Sequence, residues 1–591
     1  MVPADLDPSP PAAQPLGDFA SVFVESMRVQ NFRGLQDCAL ELERDLTLLV
    51  GPNNSGKSRL LRALAIALGA IGPAGDDLTV AGAETSTIDV VIAPLSDPGK
   101  PDEFDARVRR RLRDVQPVGT DPVHERFAWR TTLWPSSEGW GAVSLWSILV
   151  FDAATEQWVP QPSDRAPTSD QRDIVAADLV QTTRDLVDEM TRRGTAIDRI
   201  LDDLEIPAEH REPLEASLRE VGTNVMAASS TLAALQLALR VLSASVGTIG
   251  TPRLTALPVR LEELARSVSV DFNTGQGHLP LRLHGAGARS LASLQVQSVF
   301  YERRLGRDGP ALLPHPVSLV EEPEAHLHPQ AQLQLLTLLE REHGQTIATT
   351  HSSHLASVVE PRAIRLLRCV DGRTHVVDLA MFDEDEAIEK LRRLVERPFG
   401  ELIFASAVVI GDGATERSLL PPLLGAALGD RAHGVSVVDA GSMSGTSAIA
   451  AVKFATQTSM PWVLFSDADA PGRLAAGRLI QDYGGGDSSH VVWGGCGAPE
   501  RTGATEAMLL DFDTDMCAAA CRQLGFTGPN AGLLQFMAGK KGTIGRVLAT
   551  ELLTRHPWKV DPAHEQDCWP TPLLELVQRL DDLIVRAGAL N

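Results

Sequence analysis

The sequence Leu46-Thr-Leu-Leu-Val50, followed by Gly51-Pro-Asn-Asn-Ser-Gly-Lys-Ser58, is the most informative part of this chain about its fold class. The apolar run predicts a buried strand, and the pattern from about residue 57 to 68 predicts a helix directly after the glycine-rich loop. The loop fits GxxxxGK[ST] at every position, and it lies between a strand and a helix as a phosphate-binding loop must. This stretch therefore predicts an α/β protein that binds a nucleotide.

Each part of the loop has its own task in phosphate binding. Backbone N–H groups of the loop and of the following helix terminus can donate to phosphate oxygens. The loop positions concerned are Asn53, Asn54, Ser55 and Gly56. The Lys57 ammonium is predicted to reach the β- and γ-phosphates, and the Ser58 hydroxyl to bind Mg²⁺. The predicted cofactors are ATP and Mg²⁺.

Two later apolar runs end in residues suited to ATP hydrolysis. Residues 317–320 lead into Glu321, predicted to bind the Mg²⁺ shell, and Glu322, predicted to polarise the attacking water. Residues 346–350 lead into His351, at the position of a γ-phosphate sensor. Four histidines of this region have HxH and HxxH spacings that also suit zinc, but the nucleotide context explains them without a metal. They are His326, His328, His351 and His354.

Four acids follow two apolar runs nearer the C-terminus, residues 405–410 and 462–465. They are Asp412, Glu416, Asp467 and Asp469. Carboxylates at the carboxyl ends of neighbouring parallel strands converge in one crevice, and two cations there would suit in-line attack on a phosphodiester. The alternative is that the first pair only begins a helix and the second pair only forms a turn. The presence of both pairs in an α/β pattern favours a metal site.

Composition sets broad limits. A chain of 591 residues is expected to hold about two to four domains. The net charge of −23 argues against nucleic-acid binding by the whole surface, but it leaves room for basic grooves. The arginine clusters at 107–113 and 303–307 are either such grooves or solvated helix faces. No apolar run reaches the roughly 18 residues of a membrane span, and six cysteines form no CxxC pair, which predicts a cytoplasmic protein.

Changes of pattern divide the chain into predicted segments. Residues 1–22 are a disordered tail, 23–165 and 251–383 are two parts of the nucleotide-binding domain, and 166–250 are a helical insert. Residues 400–511 form a second α/β domain, and 512–591 a helical C-terminal segment. Heptad-like apolar positions through 174–204 and a break at 206–207 predict that the insert is an antiparallel helical hairpin. A plain helical layer of the core is the alternative.

The nucleotide motifs together resemble the ABC ATPases of the SMC/RecF type. Met27-Arg-Val-Gln-Asn-Phe-Arg-Gly34 is similar to the first strand of that group, and Glu321-Glu-Pro-Glu-Ala-His-Leu-His-Pro329 to its Walker B element and D-loop. The resemblance implies that two ATPase heads sandwich ATP. The glycine turn around Gly285 and Gly287 would then stand in for the signature motif that acts across the interface.

The acidic pairs resemble the Toprim domain of topoisomerases, primases and nucleases. A Toprim domain after an SMC-like ATPase resembles the OLD family, which includes the nuclease subunit of the Gabija antiphage system. The resemblance implies Glu506 as a further metal ligand, Lys541 as a catalytic lysine and the helical insert as a dimerisation segment. Lysine there would stabilise charge developing on the scissile phosphate. The family usually has glutamate where this chain has Asp412.

The leading hypothesis is an ATP-hydrolysing, Mg²⁺-dependent DNA endonuclease or nickase that acts in phage defence or DNA repair. Mn²⁺ is a second candidate metal for the Toprim site, and the expected partners are DNA, a second copy of the chain and a helicase-like protein. The alternative, favoured by Asp412, is a DNA-binding ATPase whose Toprim domain binds metal or DNA without cleaving it. A transporter ATPase would leave the C-terminal acids unexplained.

Overall fold

The computed structural model describes most of the chain outside the predicted insert. The described residues are 19–78, 85–96, 102–119, 123–135, 142–162, 165–180, 208–228, 271–273, 278–280, 312–325, 327–341, 344–370, 372–379, 399–496, 503–558 and 568–589. Within these residues no helix is long and apolar enough to cross a membrane.

The described strands belong to four sheets. They are β1 (Val22–Phe32), β2 (Leu35–Glu41), β3 (Leu46–Val50), β4 (Ser86–Pro94), β5 (Gln116–Val118), β6 (His124–Pro135), β7 (Ala142–Asp152), β8 (Gln157–Pro160), β9 (Val175–Val180), β10 (Asp271–Asn273), β11 (His278–Pro280), β12 (His315–Glu321), β13 (Gln345–Thr350), β14 (Ile364–Val370), β15 (Arg373–Asp378), β16 (Ala407–Gly411), β17 (Val435–Asp439), β18 (Trp462–Asp467) and β19 (Val491–Gly494).

The α-helices of the described residues lie mainly in the C-terminal half. They are α1 (Lys57–Ala67), α2 (Ala106–Leu112), α3 (Ser169–Arg172), α4 (Ala208–Ala228), α5 (Pro329–Arg341), α6 (Ser353–Ala356), α7 (Ala414–Leu428), α8 (Thr446–Gln457), α9 (Ala470–Tyr483), α10 (Thr505–Phe512), α11 (Thr514–Gln523), α12 (Leu533–Ala538), α13 (Lys541–Arg555) and α14 (Thr571–Ala589). Short 3-10 turns include Phe399–Phe404, just before β16.

The nucleotide-binding part is built on a six-stranded sheet in the order β15-β14-β3-β13-β12-β9. Strands β14, β3, β13 and β12 run parallel to one another. Every residue of β3 and β13 is buried, as expected for central strands of a parallel sheet that is covered on both faces. Thr350 pairs with Val50, and Glu321 with Thr349, so the loops after three strands meet at one edge.

An antiparallel sheet accompanies the parallel one, in the order β2-β1-β4-β6-β7-β8 with β5 paired to β6. Its strands alternate between buried and exposed positions where one face meets solvent, as β2 shows. The turn between β1 and β2 contains Gly34 at φ 82°, a left-handed conformation that glycine adopts without steric cost. This turn lies in the stretch that resembles the first strand of SMC-type ATPases.

One expectation about the helical insert was wrong. The pattern from about residue 168 onward predicted helix, but Val175–Val180 form β9 at the edge of the parallel sheet beside β12. Ile174 O accepts a hydrogen bond from His315 N at 2.9 Å, which joins this segment to the start of β12. A short run of valine, alanine and leucine satisfies a helical period as well as a strand, and pairing with an open sheet edge decides between them.

Most of the insert lies outside the described residues. Helix α4 lies within the predicted insert and is helical as expected. Together with the β10–β11 hairpin it belongs to a separate compact unit. The glycine turn at Gly285 and Gly287 and the arginines at 303–307 fall outside the described part of the chain.

The C-terminal part is a four-stranded parallel sheet in the order β17-β16-β18-β19. One hydrophobic cluster joins its strands to the C-terminal helices, with Val409 of β16, Val463 of β18, Leu548 of α13 and Leu576 of α14 all buried in it. The α/β fold class and the helical C-terminal segment are therefore confirmed. Because strands and helices share this cluster, the helices fix which groups surround the carboxyl edge of the sheet.

Candidate nucleotide and metal sites

The phosphate-binding loop is closely packed. An added Cβ at Gly51 would overlap Leu367 O of β14, so only glycine allows the loop to cross the neighbouring strand there. Gly56 has φ 105°, and a Cβ on it would lie 3.0 Å from Thr374 Oγ1 of β15. That hydroxyl also donates to Ser55 O at 3.1 Å. The strands β14 and β15 thus shape the loop from one side.

The side chains of the loop differ in burial and in hydrogen bonding. Lys57 is buried and its Nζ donates to Gly51 O at 2.7 Å and Pro52 O at 2.9 Å, which curls the loop around the ammonium. The Ser55 hydroxyl is buried with no hydrogen-bond partner among the described residues. Asn53, Asn54 and Ser58 are exposed at the mouth of the loop. A buried unpaired hydroxyl beside exposed donors fits a loop that accepts phosphate oxygens.

The predicted hydrolytic residues follow β12 and β13, at the edge of the sheet where β3 leads into the phosphate-binding loop. Glu321 ends β12, and Glu322 follows it with φ 43°, a conformation uncommon outside glycine. Glu322 N donates to Thr349 O at 3.1 Å, which ties the strained residue to β13. One carboxylate oxygen of Glu322 lies 3.3 Å from His351 Nε2.

The pKa of His351 depends on both Lys57 and Glu322. Burial lowers the pKa of His351, the Lys57 ammonium lowers it further, and the Glu322 carboxylate opposes both. The Lys57 charge therefore acts on the imidazole, while Glu322 accepts from it. An imidazole between these two charges would also respond to the negative charge of a bound phosphate.

The C-terminal acids meet at the carboxyl edge of the second parallel sheet. Asp412, directly after β16, accepts from Asp467 N at 3.2 Å and Ser466 Oγ at 3.3 Å through its Oδ2. Asp467, the last residue of β18, accepts from Thr505 N at 3.0 Å. The side chain of Asp412 is therefore in direct contact with the backbone N–H of Asp467 on the neighbouring strand.

Two glutamates complete the group. Glu416 is buried in the first turn of α7, and its Oε2 accepts from Gly413 N at 2.9 Å. Glu506 is buried in the first turn of α10, and its Oε1 accepts from Thr415 Oγ1 at 2.6 Å. The helix-start interpretation of Glu416 is thus correct locally, yet the same carboxylate lies within the acidic group.

The acids repel one another. Burial raises the pKa of Glu416 to about 7, with further contributions from the charges of Asp467 and Glu506. Burial likewise raises the pKa of Asp467 to about 6; Asp412 and Glu506 add to the shift, and Lys541 opposes it. Buried carboxylates that share a site favour protonation unless a cation neutralises them. The donor set of hard oxygens with excess negative charge fits Mg²⁺ or Mn²⁺.

Asp469 is placed differently from the other acids. It is the N-cap of α9, and its Oδ1 accepts from Gly472 N at 2.7 Å. One of its carboxylate oxygens is therefore committed to the helix. Among the described residues, no three His, Cys, Asp or Glu side chains stand so that they could hold a metal ion without rearrangement. The ligand set stays a prediction.

Close helix packing brings Lys541 toward these acids. Lys541 is the first residue of α13, and Gly545 follows one turn later. An added Cβ at Gly545 would overlap Thr415 O and Ser418 Oγ of α7. At Gly411, the last residue of β16, a Cβ would lie only 2.6 Å from Glu416 Cβ. Glycines thus allow α7 to approach both the sheet and α13.

Several contributing residues were missed by the sequence reasoning. Three are hydroxyl side chains beside the acids, and one is a glycine: Ser466, Thr415, Thr505 and Gly545. Thr505 donates to Asp467 Oδ1 twice, from its N–H at 3.0 Å and from its hydroxyl at 3.4 Å. Ser466 and Thr415 each adjoin a predicted acid in sequence, which was the available signal. Gly545 gave no signal, because helix contacts are not visible in a sequence.

Other candidates have structural explanations. Arg109 of α2 pairs with Glu125 at 2.8 Å, and Arg111 donates to Asp170 O at 2.7 Å, so part of the first arginine cluster serves the domain's own packing. Cys517 and Cys521 are buried in the C-terminal hydrophobic cluster, and burial raises the pKa of Cys517 to about 12. His326 lies outside the described residues.

Comparison with known proteins finds several that are similar to this chain. The AAA ATPase domain family matches residues 23–93 and 216–356. The OLD nuclease of Thermus scotoductus is 23% identical over 470 residues, which are 76% of this chain and 82% of that protein. Solved structures with similarity include the SMC head domain from Thermotoga maritima, at 15% identity and TM-score 0.28 over 60% of this chain and 98% of that one. The C-terminal region of the Burkholderia pseudomallei OLD protein is 17% identical, with TM-score 0.24, over 31% of this chain and 99% of that one.

Proposed function

We propose that this chain, which belongs to the OLD family, is an ATP-hydrolysing, divalent-metal-dependent DNA endonuclease. One observation carries the proposal. Asp412 accepts from the Asp467 N–H at the end of the neighbouring parallel strand, Glu416 and Glu506 are buried with charges that act within the same group of acids, and the Lys541 charge acts on Asp467. This is a charge arrangement that a divalent cation would stabilise and that a structural core has no reason to retain.

The residues that would hold the metal follow from this arrangement. Asp412, Glu416, Asp467 and Glu506 are the candidate ligands, and Asp469 would contribute the carboxylate oxygen that does not cap α9. When bound, a pair of divalent ions supplies a nucleophile at neutral pH and charge stabilisation at the leaving oxygen. The Ser466 hydroxyl donates to Asp412 and the Thr505 N–H donates to Asp467, and these two bonds would hold the carboxylates in place.

Lys541 supplies positive charge near the acids. Lys541 is the first residue of α13, and the charge of its ammonium lowers the pKa of Asp467. We assign it to the developing negative charge of the scissile phosphate, where a fixed cation stabilises the transition state more than the ground state. The Toprim assignment of this domain belongs to the same proposal.

ATP hydrolysis is assigned to the other site. Lys57 would bind the β- and γ-phosphates, Ser58 and Glu321 the Mg²⁺ shell, and Glu322 the attacking water. His351, whose Nε2 lies 3.3 Å from Glu322 Oε1, would sense the γ-phosphate. A nucleic-acid substrate is supported by the similarity to an OLD nuclease. DNA as that substrate, and an assembly of two or more copies, rest on the family resemblance. A role in phage defence or DNA repair, and a helicase-like partner, rest on family resemblance alone.

A plasmid-nicking assay tests the proposal. Wild type, Asp467→Ala and Asp412→Glu are each incubated with supercoiled plasmid in Mg²⁺ and in Mn²⁺, with exposed Asp482→Ala as the charge-matched control. Wild type and Asp482→Ala should nick the plasmid, and Asp467→Ala should not. Asp412→Glu should slow nicking, because the carboxylate would reach roughly 1.5 Å further, whereas Mg²⁺–oxygen distances stay near about 2.1 Å.

Two outcomes of this assay would favour the alternative. If the wild type is inactive in both metals, the Toprim domain binds metal or DNA without cleaving it. If Asp412→Glu then restores nicking, the aspartate is what separates this chain from a cleaving enzyme. The present contacts of Asp412 with Ser466 and Asp467 favour a site adapted to aspartate, and hence the active wild type.

A further inference from the structure

The turn that carries Asp467 and Asp469 is fixed by contacts at its middle residue. Ala468 N donates to Gly494 O at 3.2 Å and to Gly503 O at 2.9 Å. On the other side, Ala468 O accepts from Arg473 Nε at 3.0 Å. Both backbone polar groups of the residue between the two aspartates are therefore bonded, which sets the direction in which each neighbouring side chain leaves the backbone.

Arg473 is itself held by an aromatic ring. Its guanidinium carbon lies 4.8 Å from the centre of the Trp493 ring, within the range of a cation–π contact. Trp493 belongs to β19 and pairs in register with Ser466, the residue before Asp467. The ring thus lies on β19, the bonded carbonyl belongs to the residue directly after β18, and the guanidinium connects them.

We propose that Arg473 is a positioning residue for the metal-binding carboxylates. By holding the Ala468 carbonyl while stacked on Trp493, it orients Asp467 and Asp469 toward a shared divalent cation. The inference rests on the proposed function, since it concerns the same site. Arginine suits this task because a planar guanidinium can stack on a ring and donate from Nε in one fixed geometry, whereas a lysine ammonium cannot.

A positioning role and a purely electrostatic role of Arg473 predict opposite changes in metal affinity when the side chain is removed. Removing a positive charge near a cation site would remove Coulomb repulsion and, by that effect alone, strengthen metal binding. Loss of an outer-shell partner that orients a ligand weakens metal binding, typically about 10–100-fold. Arg473→Ala should therefore weaken binding even though it removes a cation. Arg473→Lys, which keeps the charge, should weaken it as well.

The experiment measures Mn²⁺ binding to the nucleotide-free full-length protein by titration calorimetry. Asp467→Ala identifies the binding heat that belongs to this site. Arg478→Ala is the matched control, because Arg478 lies on the same helix, is exposed and carries the same charge. We expect at least about a tenfold weaker Mn²⁺ affinity in Arg473→Lys and Arg473→Ala, and an unchanged affinity in Arg478→Ala. Melting temperatures establish that each variant is folded.

The outcomes decide the inference separately from the proposed function. Wild-type affinity in Arg473→Lys, or tighter binding in Arg473→Ala, would overturn the positioning role and indicate that Arg473 acts through charge. If Arg473→Ala does not fold, Arg473→Lys alone carries the test. A wild type that shows no Mn²⁺ binding dependent on Asp467 would overturn the inference as well. A wild type that binds Mn²⁺ with the expected Arg473 dependence but does not nick DNA would contradict only the proposed function.

Discussion

Replacing Gly545 by alanine should push α13 away from α7. The added methyl group would overlap Thr415 O and Ser418 Oγ and lie 3.0 Å from Leu419 N, so backbone atoms as well as a side chain would have to move. Forcing a methyl group into such a contact costs about 1–3 kcal/mol. Replacing glycine by alanine within a helix raises the free energy of unfolding by roughly 0.5–1 kcal/mol through helix propensity. The net loss of unfolding free energy should be about 1–2 kcal/mol.

Gly542 provides the control on the same helix. A Cβ at Gly542 would meet nothing within 4 Å, so Gly542→Ala should keep or raise stability through helix propensity alone. The two variants carry the same chemical change three residues apart. Their unfolding free energies should differ by about 2 kcal/mol. For the C-terminal part of the chain, which is a domain of roughly 150–250 residues, this corresponds to a difference in melting temperature of about 4–8 °C.

The assay is thermal unfolding followed by circular dichroism, with plasmid nicking and ATP hydrolysis measured in parallel. Because Lys541 begins the displaced helix, Gly545→Ala should nick plasmid more slowly than Gly542→Ala, while both hydrolyse ATP at the wild-type rate. If Gly545→Ala proves as stable as Gly542→Ala, the close approach of α7 and α13 is wrong. The placement of Lys541 beside the acids would then be wrong with it.

Lys57→Ala should weaken ATP binding, because its ammonium contacts phosphate, and Glu322→Gln should bind ATP without hydrolysing it. Hydrolysis by Glu322→Gln at the wild-type rate would contradict the role of Glu322. Burial lowers the pKa of His315 from 6.5 to about 4, so between these values the unfolded chain binds a proton that the folded chain does not. The free energy of unfolding should fall by up to about 3 kcal/mol as the pH drops from 6.5 to 4, and His315→Asn should lack that part of the loss in urea titrations; an equally steep loss in the variant would refute this. Deletion of residues 181–246, which leaves β9 intact, should lower the mass measured by light scattering, and an unchanged mass would contradict a dimerisation role.

Local sequence was sufficient where a motif and its flanking pattern lie together. The loop from Gly51 to Ser58 could be identified because its glycines, lysine and hydroxyl act within one turn of backbone, between a strand and a helix. The α/β class and the helical C-terminal segment followed from the period of apolar residues. The acids Asp412 and Asp467 could be predicted to meet, because strand ends in a parallel sheet share an edge.

Tertiary contacts decided what local pattern left open. The run Val175–Val180 fits a helix or a strand, and only the free edge beside β12 made it a strand. Asp469 fits a metal ligand or a helix cap, and the structure commits one of its oxygens to the cap.

The supports of the acidic site come from residues distant in sequence. Thr505 reaches Asp467 from 38 positions away, and Gly545 meets α7 across more than a hundred. The sequence by itself determined which groups could bind phosphate and metal, because that capacity is a property of side chains and short loops. Only the tertiary structure determined how those groups are oriented, because orientation depends on hydrogen bonds and close packing between segments whose pairing no local pattern encodes.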